Sequence, residues 1–264
     1  MVSCSLYGRA GNQYFQVSAT IAYSLKYNMY YSIPKNGLNF GVKTHYKFPN
    51  QTDLKADLVY YQPTHGYTEI PKFSDIHLNG HFQSEKYFEA FKNEIRKKLQ
   101  FPKATINKCA IHVRRGDYLK YQSRFPLLTK EYYEKSVLKI IENGINEFVV
   151  FSDDIEYCKS LFGSSMEYYK TDNDIEDLKH MAEYKYMIIA NSSYSLFASL
   201  INDKECVVAP SEYKWFGKGV NLETKDLMPE RFIKIGKTKI PIKDCHTLKL
   251  ELKEQKPITI KVYK

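Results

Sequence analysis

Residues 112–117 read HVRRGD, which puts an imidazole, two permanent cations and a carboxylate within a single turn's reach of one another. A guanidinium keeps its charge at every physiological pH, and its planar fork of donors fits a phosphate or a carboxylate in bidentate fashion. Two such groups at the end of the apolar run 109–113 require an anion opposite them, supplied either by the protein or by a ligand. If the strand continues, Arg114 and Arg115 point to opposite sides. One then faces a ligand while the other packs or pairs with Asp117.

Three more clusters carry chemistry. In GRAGNQ (8–13), Gly8 and Gly11 allow a tight turn and close backbone approach, while Arg9 adds a cation at a helix entrance beside Asn12. The cluster lacks both the GK[ST] ending of a phosphate loop and the GxGxxG of a dinucleotide site. In NSS (191–193), Asn191, Ser192 and Ser193 stand at a helix start, where free N–H groups and the dipole favour an anion, although simple capping uses the same residues. In SDD (152–154), Asp153 and Asp154 can hold a metal or read a base edge. Asp172, Asn173 and Asp174 match an acidic metal motif literally, but they precede a helical pattern, so Asp172 or Asp174 reads as its cap. His112, His180 and His246 are isolated and no ligand set has metal spacing, so no metal site is expected. Together the cationic turns and helix starts suit a diphosphate. Fixed guanidinium groups and amides stabilise the charge that grows on such a group as it departs.

The elements that must position these clusters repeat one pattern: a short apolar run, a polar turn, then an amphipathic stretch. Runs bounded by turn formers and alternating with helices predict α/β layers on parallel sheets, with ligands at the carboxyl ends of the strands. The first helix should bury Tyr14, Val17, Ile21 and Leu25. Ser84 should cap a helix over 85–99 and Thr129 one over 130–144. Residues 34–71 read as long loops, and the tail segments FIKIG, LKLEL and ITIKVY as late strands. A linker-like stretch at 101–108 divides the chain into two units, 1–105 and 106–264, the second carrying the basic tail.

The 264 residues suffice for a full core without staples. Five scattered cysteines with no CxxC pair imply reduced thiols and an intracellular, cytoplasmic protein. The opening residues lack the charged and apolar regions of a leader, and no run approaches the ~20 apolar residues of a membrane span. Net charge is +9, and residues 231–264 hold ten Lys/Arg against three Asp/Glu, 10 − 3 = +7. That tail is either a solvated face or an attraction to nucleic acid, an anionic membrane surface or an acidic glycan; no aromatic-basic RNA motif accompanies it.

The segments GRAGNQYFQ, GHFQSEKYF, HVRRGDYL, FSDD, IIANSSYS and VVAPSEYKWF occur in the order found in glycosyltransferase family 11, the α-1,2-fucosyltransferases, which the chain resembles from about Leu6 to Phe216. The resemblance implies a GT-B fold of two Rossmann-like halves with a ligand cleft between them. It also implies inverting, metal-independent transfer of L-fucose from GDP-β-L-fucose to a glycan hydroxyl, with O2 of a galactose-type residue as the expected acceptor. No cofactor beyond the donor is implied. Carried over, Arg114 contacts the donor β-phosphate, His112 lies beside the nucleotide, and Asp117 orients the arginines or contacts the donor. Arg115, Asn191, Ser192 and Ser193 complete the donor site. Asp154 reads guanine, with Asp153 as its alternative. Arg9 and Asn12 face fucose and acceptor from the other half, with Gln83 and Glu85 near the interdomain region. Glu85, Asp117 and Asp153 are the candidate bases. The expected partners are GDP-fucose and a glycan, without nucleic acid or a transmembrane segment, and with peripheral membrane contact open to the basic tail. Two other readings compete: a non-catalytic basic nucleotide- or nucleic-acid-binding protein, and a metal-dependent transferase using Asp172–Asn173–Asp174.

Overall fold

The computed structural model describes residues 1–39, 42–44, 46–211, 215–218, 220, 222–236, 245–250 and 258–263. In the first half, β1 (Val2–Cys4) leads into α1 (Ala10–Tyr27), followed by β2 (Tyr31–Ser32), β3 (Gly37–Asn39), β4 (Val42–Thr44), β5 (Val59–Tyr61), β6 (Ile76–Asn79) and α2 (Lys92–Lys98). The second half runs β7 (Ile106–Val113), α3 (Lys130–Ile141), β8 (Phe148–Ser152), α4 (Ile155–Phe162), β9 (Glu167–Tyr169), α5 (Asp174–Met181), β10 (Tyr184–Ile188), α6 (Ser193–Leu200), β11 (Cys206–Pro210) and β12 (Ile233–Ile235). The tail strands β13 (Cys245–Leu250) and β14 (Ile258–Tyr263) pair antiparallel, as β3 and β4 do.

Two parallel sheets result. The first has the order β2-β1-β6-β5 and the second β12-β11-β10-β7-β8-β9. In the second the chain winds outward in both directions from the central pair β7 and β10; in the first it steps from β1 out to β2, crosses to the edge strand β5 and returns inward to β6 beside β1. Such reversals open a crevice at the carboxyl ends of the central pair. GRAGNQ and GHFQ therefore emerge at one crevice, and HVRRGD and NSS at the other. This is the two-sheet α/β architecture expected from the alternating pattern.

One hydrophobic core runs through both halves, and a second lies within the second half, where α3 packs on its sheet. Phe197 of α6 is the hub of the first. It stacks on Tyr14 at 5.2 Å and meets Phe15, Phe88 and Phe101 at 5.2, 6.1 and 5.5 Å, all four from the first 101 residues. Truncating a buried ring of this kind costs about 3–5 kcal/mol. Tyr14, Val17 and Ile21 are buried as the α1 periodicity requires, and Leu25 packs at the edge of the same core.

The chain also returns across the halves near its end. Arg231 grips Glu85 with two contacts of 2.5 and 2.6 Å. Asp226 receives Lys86 Nζ at 2.5 Å and the Tyr67 amide at 3.2 Å.

Several expectations are corrected. Residues 85–99 form two 3-10 turns and only then α2, because Phe88 leaves the helical region (φ −141°) to bury its ring under Phe197. Of the inward face expected from the helical period, Phe88, Ile95 and Leu99 are buried and Phe91 is half-buried against the same core. Residues 34–71 contain a parallel edge strand, β5, which the loop reading missed because only three residues pair. Thr129 caps α3 as expected. Asn173, and neither Asp172 nor Asp174, caps α5 by accepting from Ile175 and Glu176.

Helices α1 and α6 touch at Gly11. A Cβ there would lie 2.5 Å from the Ser193 carbonyl carbon. Helix propensity favours Gly11→Ala by about 0.5–1 kcal/mol, whereas the collision costs about 1–3 kcal/mol. Net destabilisation in urea unfolding is the expected result; a gain in stability would show that the helices do not meet this closely.

Candidate active site

A cavity of about 690 Å³ lies between the two crevices and is lined from both halves. That volume is within the range of small-ligand sites. Three groups of residues define it.

The first is a line of alternating charges. Arg114, only 14% exposed at its side chain, touches Asp117 through Nη2 and Asp153 through Nη1, the latter at 2.5 Å. Asp117 continues to Arg9 of the first half at 3.6 Å. All four residues line the cavity. Gly116 makes the arrangement possible, since any Cβ there would collide with the Asp153 carboxylate. The backbone amide of Arg115 fixes the same carboxylate at 2.9 Å. Arg124 also lines the cavity, is exposed, and has no ion pair among the described residues.

The second is a pair of helix starts. Arg9 precedes α1 without a side-chain cap bond, and α1 has no acidic residue in its first turn. Ser192 caps α6, whose first turn is likewise free of acid. Both positive helix ends are thus left for an external anion.

The third is a set of neutral groups. Burial, reinforced by the Arg114 charge, pulls the pKa of His112 down to about 3. Its Nδ1 hydrogen-bonds Ser195 Oγ at 2.8 Å and its ring tilts against Tyr194 at 5.5 Å. Tyr118 lies under Arg114 at 5.4 Å and donates to the Asn191 carbonyl at 2.9 Å. Burial raises its hydroxyl to about 12, so it stays protonated. Asn12 accepts from Gln83 Nε2 at 2.6 Å, and both line the cavity.

The structure separates other expected residues from this cavity. Arg115 stacks on Tyr157 at 3.5 Å and bonds Asp154 at 2.9 Å; neither Arg115 nor Asp154 is in the cavity wall. Asp154 caps α4, and Arg115 together with the Tyr157 amide holds its carboxyl below the ordinary range. Asp153, the alternative, is the carboxylate that reaches the cavity. Glu85 is buried against Arg231 and lies outside it, because the returning chain supplies its counter-charge. Asn191 lines the cavity, but its amide is committed to the Pro126 and Trp215 carbonyls at 2.9 and 3.2 Å.

Asp174 of the acidic motif also lines it, with four residues not singled out beforehand, Lys170, Asp177, His65 and His81. Lys170, Asp174 and Asp177 form one end, where Lys170 pairs with Asp177 at 2.9 Å and Tyr46 donates to Asp174 at 3.1 Å. His65 and His81 form the other. His81 stood within GHFQ, next to residues already chosen, whereas His65 stood in a stretch read as loop. Among the described residues no three His, Cys, Asp or Glu side chains are placed to share a metal ion, and no helix is long and apolar enough to cross a membrane.

Two parallel α/β halves thus close on a cavity with paired helix starts and a line of guanidinium groups. Residues 90–214 match the model of glycosyl transferase family 11. The chain is 30% identical over 184 residues to an alpha-1,2-colitosyltransferase of Escherichia coli, covering 61% of this chain and 63% of that protein. It is 34% identical over 119 residues to the O-antigen biosynthesis glycosyltransferase WbnK of Escherichia coli, covering 42% of this chain and 39% of the relative. The match thus spans less than two thirds of either relative. The solved structure of NodZ alpha-1,6-fucosyltransferase soaked with GDP-fucose is a distant likeness, with TM-score 0.45 and 8% identity over 81% of this chain and 96% of that one.

The neutral His112 sets a pH limit. Its folded pKa, about 3, lies below the ordinary 6.5, so the unfolded chain binds the extra proton first as pH falls. Stability at neutral pH is therefore lost below pH 6.5, by about 1.4 kcal/mol per pH unit for this group. His77 and His81, each lowered to about 4 chiefly by burial, act in the same direction. Melting temperatures measured from pH 7 to 4 should fall less steeply for His112→Gln than for the parent; equal slopes would show that the imidazole is not buried neutral.

Proposed function

We propose that the protein is an inverting α-1,2-fucosyltransferase that takes L-fucose from GDP-β-L-fucose without a metal ion and places it on a hydroxyl of a galactose-type glycan. The observation that carries this reading is the convergence of two acid-free helix starts and three cavity-lining arginines, Arg9, Arg114 and Arg124, on the space between the sheets. As the bond from C1 to the β-phosphate breaks, its electron pair and charge pass to GDP. Fixed donors that need no reorganisation stabilise that charge. Arg9, half exposed and held by a single 3.6 Å contact, is free to turn onto the phosphate, while Arg114 shares its fork between the phosphate and its two aspartates. The acceptor oxygen attacks C1 from the opposite face, with inversion, and the hydroxyl proton it gives up passes to Asp117 or Asp153, the two candidate bases that line the cavity, or to solvent.

The colitosyltransferase relative supports a second donor reading within the same chemistry, transfer of colitose in place of fucose. A binding protein without turnover remains the alternative outside it. Incubation with each GDP-sugar and a β-galactoside separates these readings. GDP release with a product linked at O2, unaffected by a chelator, is the expected result. Tight GDP binding with no release would leave only the binding protein, and loss of activity in chelator would reject the metal-free mechanism.

Arg114→Lys tests the charge line. A lysine is a point charge that cannot hold two carboxylates and a phosphate in one plane. Loss of one such transition-state donor costs about 10²–10³ in turnover, so kcat should fall on that scale. Near-normal kcat would remove Arg114 from the mechanism.

A further inference from the structure

A side groove of about 640 Å³ opens off the main cavity. Its floor is the carboxyl end of β5 and β6, including Tyr61, Gln62 and Asn79. Tyr7, His65, His81 and Leu222 border both spaces, so the histidine pair stands at their junction.

Three observations describe what fits there. First, His65 Nε2 and His81 Nδ1 are buried with no hydrogen-bond partner. Buried polar atoms are nearly always satisfied, and each orphan costs about 1–3 kcal/mol unless something supplies the bond. Second, the ring of Tyr61 is 68% exposed at the groove, an aromatic face presented to whatever enters. Third, no lysine or arginine lines the groove among the described residues, and Glu223 is its single carboxylate. Burial, with the neighbouring His65, takes His81 down to about 4, and burial also lowers His65 against the upward pull of the Gln83 side chain. Both imidazoles are therefore uncharged at neutral pH.

The wall is pre-organised. Gln62 Oε1 accepts from the His81 and Phe82 amides at 2.9 Å each, and Gln62 Nε2 donates to the Gly66 carbonyl at 3.1 Å. The His81 ring meets Tyr7 edge-on at 5.0 Å and His65 at 5.4 Å. A ligand here needs hydroxyls for the imidazoles, an apolar C–H face for the tyrosine and no net charge, which is the chemistry of a neutral sugar chain.

We propose that this groove is the subsite for an extended, neutral oligosaccharide acceptor: hydroxyls of the sugar at the junction hydrogen-bond to His65 and His81, and the next sugar stacks on Tyr61. The inference rests on the transferase reading above and adds the acceptor's length and charge to it.

The test uses the whole chain with saturating GDP-fucose, methyl β-galactoside as the one-sugar acceptor and lactose as the two-sugar acceptor. The parent should show a lower KM for lactose. Tyr61→Ala should raise the lactose KM about tenfold and leave the methyl galactoside KM within twofold. His81→Ala should raise both KM values about tenfold, and His81→Gln, which keeps a hydrogen-bonding group, should recover part of the loss. GDP affinity measured by titration should stay within twofold in all three variants. The proposal is overturned if the parent does not distinguish the two acceptors, if Tyr61→Ala leaves their ratio unchanged, or if GDP affinity falls in step with the His81 variants, which would place the pair in the donor site. If the parent binds and turns over no GDP-sugar, the transferase reading fails by itself. Direct calorimetric binding of lactose to the parent and to Tyr61→Ala then decides the groove: weaker binding to the variant upholds it and equal binding rejects it.

Discussion

The close meeting of α1 and α6 at Gly11 is the constraint on which the rest of the molecule depends. Two helix N-termini that abut bring two positive dipole ends together, an arrangement that repels unless an anion lies between or beside them. Neither first turn contains an acidic side chain to relieve it. The packing that forces the approach is hydrophobic: Phe197, one turn into α6, is enclosed by four rings from the first half. Burial of apolar area thus sustains an electrostatic arrangement that a phosphate completes. Because α1 follows β1 and α6 follows β10, the same contact aligns the crevices of the two sheets.

The charges around that point nearly balance. Arg9 and Arg114 face Asp117 and Asp153, so the arginines are held in place by protein carboxylates before any ligand arrives. A buried cation without such partners carries a large desolvation cost. The carboxylates keep the guanidinium planes fixed, and the arginine least enclosed, Arg9, is the one with the longest contact. The site is therefore prepared by geometry rather than by a surplus of positive charge. The formal +9 of the chain says little about it, since much of that excess belongs to residues 231–264, none of which lines the cavity among the described residues.

The sequence exposed the elements that repeat a strong period and concealed those whose form depends on distant partners. α1, α3 and the buried strands β7, β8, β10 and β11 follow from apolar periodicity, and the polar clusters at their ends were legible as ligand-facing turns. The edge strands β2, β5 and β9 have two or three residues each and carry no period to read. Adjacent aspartates could not be told apart beforehand. The structure sends Asp153 to the cavity because Gly116 leaves room for it, and Asp154 to the α4 cap. Glu85 looked like a candidate base because its counter-ion, Arg231, stands 146 residues away. His65 and His81 carried no local signal, since their importance lies in what their ring nitrogens fail to touch.

The return of the chain over the first half, through Asp226 and Arg231, has a consequence for heredity as well as for shape. Natural recombination or laboratory shuffling that replaced only residues 1–105 would lay a foreign surface beneath these two anchors. A chimera that keeps these contacts inherits both ends of the polypeptide from one parent and accepts the exchange in between, so the first half and the closing segment of the chain are expected to travel together through the lineage.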